Sequence, residues 1–348
     1  MTVTDLTLLE GMKFCCLEGC GFCCSYPAEV KEYECSFSHI RKVDPDALKK
    51  WETDDPLFCN VFTMKQYNDI GACIFLKEDK RCGIYSIRSI LCKTYPIKIF
   101  FGWRIQLYTS MACRGVVEAA GSSELLQQGK KVLADIPAHV LQRLGSEAQL
   151  MYSSLPDILD NYMPPETLQA ELLAYAQGMV IDPVIVSQEH IIDLESQLAS
   201  GDIIDLPAYL AEDLKWLVFK LENDQLLTMV LKRTGETETI QSRRYGGISP
   251  KQLSAAAIEA VRNYLLKIAR SDHFTGMIYL NACNSRTNES IIDRAIRLLN
   301  FMAGSFLVKA SFLATFDDLD EVDEKLVRET IIFSDGYLAT EPAYGLIL

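Results

Sequence analysis

Cys15-Cys16-Leu17-Glu18-Gly19-Cys20-Gly21-Phe22-Cys23-Cys24 is the stretch on which the reading of this 348-residue chain turns. Cys16, Cys20, Cys23 and Cys24 lie within nine positions, with Gly21 among them. Thiolates two or three residues apart can face one point where a small residue lets the backbone turn. Backbone N–H groups in such a loop then reach the sulfurs, an arrangement that suits zinc and iron–sulfur centres alike. A tight loop is therefore predicted over residues 14–24. One loop rarely encloses a metal alone, so further ligands are expected from Cys73, Cys82, Cys92 and Cys113, each read as lying at a strand end or turn.

The wider cysteine census agrees. Of twelve cysteines, only Cys283 lies beyond Cys113. Residues 1–7 have no basic start and no apolar run after them, which predicts a cytoplasmic, reducing setting where disulfides are not expected. Clustered cysteines there point to metal. His39 is the one histidine before Cys113. An all-thiolate shell is soft and fits zinc or iron–sulfur, not magnesium or calcium. Four thiolates around Zn²⁺ or a [4Fe–4S]²⁺ core leave about −2 charge. Lys13, Arg88, Lys93 and Arg114 flank the cysteines and can offset it. Cys35, Cys59 and Cys283 read as small buried hydrophobes, and Cys15 stays open between the two readings.

Outward from the cysteines, an α+β chain is expected. A cysteine-rich module of short strands and turns (1–116) precedes a helical region (117–205) and an α+β region (206–348), with the last boundary near 201–207. Within the module, 45–52 reads as a short helix capped by Asp44, and 72–76 as a strand. Residues 97–101 and 104–108 read as a hairpin turning at Gly102-Trp103. Helices are expected over 122–153 with a break at Pro137, and over 167–177, 191–199, 250–271, 291–306 and 322–332. Asn223-Asp224 marks a second hairpin between 217–221 and 226–231.

The net charge is −13. Residues 1–115 carry 15 Lys+Arg against 14 Asp+Glu, so the remainder holds −14. Such a surface repels phosphates and anionic lipids, so neither nucleic acid nor membrane is an expected partner, and another protein is. Residues 298–316 are apolar, but Lys309 and Asn300 fall within them, so a buried core helix is expected there and not a membrane span.

The cysteine pattern resembles the YkgJ-like cysteine-cluster family, a zinc- or iron-chelating CxxCxxCC domain. Phe14-Cys15-Cys16 with Cys20-Gly21-Phe22-Cys23-Cys24 carries the likeness. So do Gly71-Ala72-Cys73-Ile74-Phe75-Leu76, then Cys82-Gly83-Ile84-Tyr85-Ser86-Ile87-Arg88 running into Cys92-Lys93-Thr94-Tyr95-Pro96, and Met111-Ala112-Cys113-Arg114-Gly115. Ser89, Lys93 and Arg114 depart from the family pattern without removing a ligand. In this segment Arg88 reads as a fixed cation beside the centre and Tyr95 as a packing and hydrogen-bonding lid. The family includes an iron–sulfur lysine N-methylase that modifies flagellin. The resemblance thus implies an iron–sulfur cluster ahead of zinc, and lysine methylation of a partner protein from S-adenosylmethionine.

Other chemistries lack their motifs. No P-loop, G-x-G-x-x-G, H-E-x-x-H or G-x-S-x-G occurs. Cys16-x3-Cys20-x2-Cys23 has radical-SAM spacing, but no run of βα units accompanies it. His39, His139, His190 and His273 are scattered, so no catalytic residue is assigned. Two classes of function remain: a cluster-dependent protein-modifying enzyme, and a non-catalytic electron-transfer or metal-stapled docking protein.

Overall fold

A computed structural model of the chain describes all residues except 1–3, 25–28, 33–34, 51–60, 70, 118–122, 201–207, 211–215, 286–288, 339–340 and 348. The expected boundary at 201–207 lies outside the described residues.

Among the described residues, the early part holds two larger sheets beside a two-stranded ladder of Lys13–Phe14 with Ser123–Glu124. Glu29–Lys31 (β1), Val61–Met64 (β3) and Leu48–Lys50 (β2) form a three-stranded antiparallel sheet in the order β1-β3-β2. Helix α1 (Cys35–Val43) packs on it, and Val30, Ile40, Leu48, Phe62, Met64 and Ile84 fill the space between. After helix α2 (Ile90–Thr94), strands β4 (Ile97–Phe101) and β5 (Ile105–Thr109) pair in full antiparallel register. Every residue of β5 is buried, because the hairpin is covered on both faces. One face meets Leu9, Leu125, Val140 and Ala148, and the other carries Phe100 and Tyr108. Thr4–Asp5 adds beside β5 and Leu346–Ile347 beside β4, so segments near both chain ends flank one hairpin.

Two local expectations fail for identifiable reasons. Of the expected 45–52 helix, residues 45–50 are a turn running into β2, and 51–52 lie outside the described residues. Asp44 Oδ1 accepts the Asp46 N–H at 2.9 Å and Asp44 O accepts the Ala47 N–H at 3.2 Å, so the capping side chain closes a turn instead. Residues 72–76 make only isolated bridges, Gln66 with Cys73 and Leu76 with Cys82. The Cys73 N–H goes to Cys24 O at 2.7 Å, which takes the donor away from any strand partner.

The later part is mainly helical. Helices α3 (Leu125–Asp135) and α4 (Ala138–Ser153) break at Pro137, as expected. Helix α5 (Pro165–Gly178) starts at its proline, and α6 (Gln188–Ala199) has a Ser187–His190 capping box. Strands β6 (Trp216–Glu222) and β7 (Gln225–Leu231) form the second hairpin. Its turn residues Asn223 and Asp224 take φ of 49° and 61°, as a type I′ turn requires. A further strand, β8 (Thr237–Arg244), pairs with β7; it lacks an apolar face, so no periodicity announced it.

The expected 250–271 helix forms as a shorter one that starts later, and an unexpected helix follows it. Helix α7 (Ala255–Ala269) begins after Ser254, and α8 (Asp272–Asn284) begins after Ser271, whose Oγ accepts the Phe274 N–H. Helix α9 (Ile291–Phe316) runs past the expected end, and α10 (Glu324–Leu338) follows it. By length and composition α9 could cross a membrane. In this fold it packs against α5, α6, α7, α8 and α10. Leu299, Ala303, Leu307, Ala310 and Ala314 are fully or almost fully buried along it. Burying each leucine contributes about 2 kcal/mol.

Candidate metal centre

Gly21 takes φ 62°, and the chain turns there so that Cys24 N–H reaches Gly21 O at 3.0 Å. The Cys20 thiol accepts the Phe22 N–H. The Phe22 ring stacks on Trp216 at 4.5 Å and packs with Ala112 and Ile332, which brings Cys20 beside the Cys113 turn. Cys113 is buried just after β5, and its thiol accepts the N–H groups of Gly115 and Val116. The Cys15 N–H donates to Gly115 O at 3.0 Å. A Cβ at residue 115 would stand 2.2 Å from Cys15 O, so only glycine permits this approach.

Helix α10 grips that turn. Asp335 Oδ2 accepts Ser110 Oγ at 2.9 Å and the N–H groups of Met111 at 2.7 Å and Ala112 at 3.2 Å. Its Oδ1 accepts Tyr264 Oη at 2.7 Å. One turn and a half earlier, Glu329 forms a buried two-pronged pair with Arg114, with Nη1 to Oε1 at 2.6 Å. Two carboxylates on one helix thus hold the segments on both sides of Cys113.

A second group of thiols gathers around Cys24. Its carbonyl accepts the Cys73 N–H, and the Cys73 thiol accepts the Phe75 N–H. Cys82 bridges to Leu76, and Cys73 and Cys82 pack in one cluster with Ile84 and Ile87. Ser89 caps α2, accepts the Cys92 N–H at 3.3 Å and hydrogen-bonds the Cys92 thiol. This group has its own clamp, the turn between β7 and β8. Arg233 O accepts the Ala72 N–H at 2.8 Å, Arg233 Nη1 donates to Leu76 O at 3.0 Å, and Asn68 Nδ2 donates to Thr234 O at 3.0 Å.

The thiols feel one another. The hydrogen bond from Cys24 brings Cys23 down to about 7 against the opposing effect of burial, with Arg88 helping. Cys24, the donor, is pushed up by the same bond, then by burial and by the nearby Cys73 and Cys82. Burial pushes Cys73 up to about 12, with Cys92, Cys82 and Cys23 adding to it. Burial likewise pushes Cys113 up to about 12, with Cys23 and Cys20 adding. Cys16 and Cys20 are raised chiefly by burial. Burial also raises Cys92, while the Ser89 hydrogen bond opposes it.

All eight cysteines singled out from the sequence therefore fall in one thiol-rich region. Among the described residues, however, no three His, Cys, Asp or Glu side chains stand at ion-holding distances. Arg88 stacks over Tyr85 at 3.7 Å, donates to Tyr85 O at 3.0 Å, and influences Cys16, Cys23 and Cys92. Tyr95 packs into the core group that contains Cys113. Cys15 lies beside Cys16, its thiol 4.0 Å from Cys16 O. Cys283 packs half-buried in the helical core, whereas Cys35 is exposed on α1, contrary to expectation, because the apolar face of that short helix turns on Ile40. Cys59 lies outside the described residues. Asp335, Glu329 and Arg233 were not foreseen; single polar residues more than a hundred positions away leave no local signal.

The donor set fits a soft metal: sulfur donors, backbone N–H groups aimed at Cys20, Cys73 and Cys113, and a cation in reach. Comparison with known proteins agrees. Residues 15–113 match the CxxCxxCC family, described as a "putative zinc- or iron-chelating domain". An uncharacterized protein of Methanocaldococcus jannaschii is 31% identical over 93 residues, which cover 26% of this chain and 48% of that protein. The chain thus spans about half the length of this curated relative. No solved structure gives a significant match. Residues 15–113 are thus similar to a cysteine-cluster domain of the metal-chelating kind.

Proposed function

We propose that this protein carries iron–sulfur on Cys16, Cys20, Cys23, Cys24, Cys73, Cys82, Cys92 and Cys113 and exchanges electrons with a partner protein. One observation carries the reading. Thiols from separate chain segments are brought together at a surface where Cys16 remains exposed, while rigid elements fix the backbone behind them. An edge open to solvent is what a partner needs for electron transfer. Backbone N–H···S bonds and the Arg88 cation are the levers that set a cluster's potential. Burial raises Cys73, Cys92 and Cys113, so metal that binds them displaces protons. Protein methylation, which the family resemblance implies, has no support in this geometry or in the comparisons.

The test is anaerobic purification of the full chain followed by absorption spectroscopy. The expected protein is brown, absorbs broadly near about 400 nm as thiolate-bound clusters do, and bleaches with dithionite. A colourless protein with stoichiometric zinc would overturn the electron-transfer reading and leave a zinc-stapled docking module.

A further inference from the structure

We infer that the eight cysteines build two adjacent four-thiolate centres, Cys16, Cys20, Cys23 and Cys113 enclosing one and Cys24, Cys73, Cys82 and Cys92 the other. This rests on the metal-binding reading above and adds the number of centres and their ligands.

The backbone divides the thiols this way. Cys20 and Cys113 are drawn together by Phe22 packing on Ala112, and Cys16 follows because Cys15 is bonded to Gly115. Cys24 is tied to Cys73, Cys73 and Cys82 share one apolar cluster, and Cys24 also lies near the Cys82 thiol. Cys92 lies near Cys73 and Cys82, and Cys23 lies near thiols of both groups, Cys20 and Cys113 as well as Cys73 and Cys92.

Each group also has a separate support. Asp335 and Glu329 of α10 hold the Cys113 turn, whereas Arg233 and Thr234 in the β7–β8 turn hold the loop on both sides of Cys73. A single four-ligand site would leave four of these thiols unused and one support without purpose. Cys23 and Cys24 are sequence neighbours whose thiols bond each other, so the two groups meet there. Adjacent cysteines seldom reach one centre together, but they can serve two centres lying side by side. Arg88 faces Cys16 and Cys23 of one group and Cys92 of the other, where a shared cation offsets charge from both.

Native mass spectrometry and iron and sulfide analysis of the anaerobic full-length protein test this. Two [4Fe–4S] cores give about eight iron and about eight sulfide per chain; if the metal is zinc, two ions per chain are expected. Cys20→Ser and Cys82→Ser should each leave about half of the metal, since serine is a poor soft ligand. One centre per wild-type chain overturns the inference whether or not the variants fold. So does a variant that keeps all the metal or loses all of it. A wild-type protein with no metal overturns the metal-binding reading itself, which separates the two failures.

Discussion

His273 shows how burial, ahead of any charged neighbour, sets a residue's chemistry in this protein. Its ring lies between Phe100 and Tyr108, at 5.6 and 6.1 Å, and Nε2 is 3.0 Å from Glu341 O. Burial brings its pKa down to about 4; Lys98 pushes the same way, while the Glu341 carbonyl and Asp335 oppose it. An unfolded histidine takes up its proton near about 6.5. Between those values only the unfolded chain binds the proton. The contribution is therefore complete above pH 6.5 and is lost as pH falls toward 4, at most about 3 kcal/mol over the interval. His273→Phe should flatten the fall in melting temperature between pH 7 and 4.5. Parallel curves for wild type and variant would refute this account of the residue.

At the scale of elements, α10 is the arm that joins the thiol loops to the helical core. Arg114 and Glu329 are both nearly fully buried, so removing one charge strands the other. Glu329→Gln should cost about 3 kcal/mol in urea unfolding, whereas Arg114→Met with Glu329→Leu should restore most of the loss. A double variant as unstable as the single would show that the pair contributes more than mutual compensation. The same element marks the limit of what sequence could reveal. The β4–β5 and β6–β7 hairpins were legible because alternation and turn residues are local signals. The Cys15–Cys24 loop was legible because so many thiols in so short a stretch are rare away from metal sites. Asp44-Pro45 misled because one side chain caps a helix or an Asx turn equally well. The start of α7 was misplaced because Ser249 and Ser254 both suit an N-cap by sequence, and it is Ser254 whose side chain accepts the Ala257 N–H. The contacts of Asp335, Glu329 and Arg233 arise only from tertiary packing.

Over the whole molecule, the cysteine domain is built into its surroundings. Its β4–β5 hairpin carries Thr4–Asp5 on one edge and Leu346–Ile347 on the other, and its thiol loops rest on α10 and the β7–β8 turn. The helical remainder therefore acts as the frame that holds ligands from distant segments near one another. The account depends on those thiols binding metal directly through sulfur. X-ray absorption at the metal edge of the anaerobically purified full-length protein reads that shell without any assumption about activity. The account predicts a first shell of sulfur alone, at about 2.3 Å. A shell dominated by nitrogen or oxygen at about 2.0–2.1 Å would contradict it.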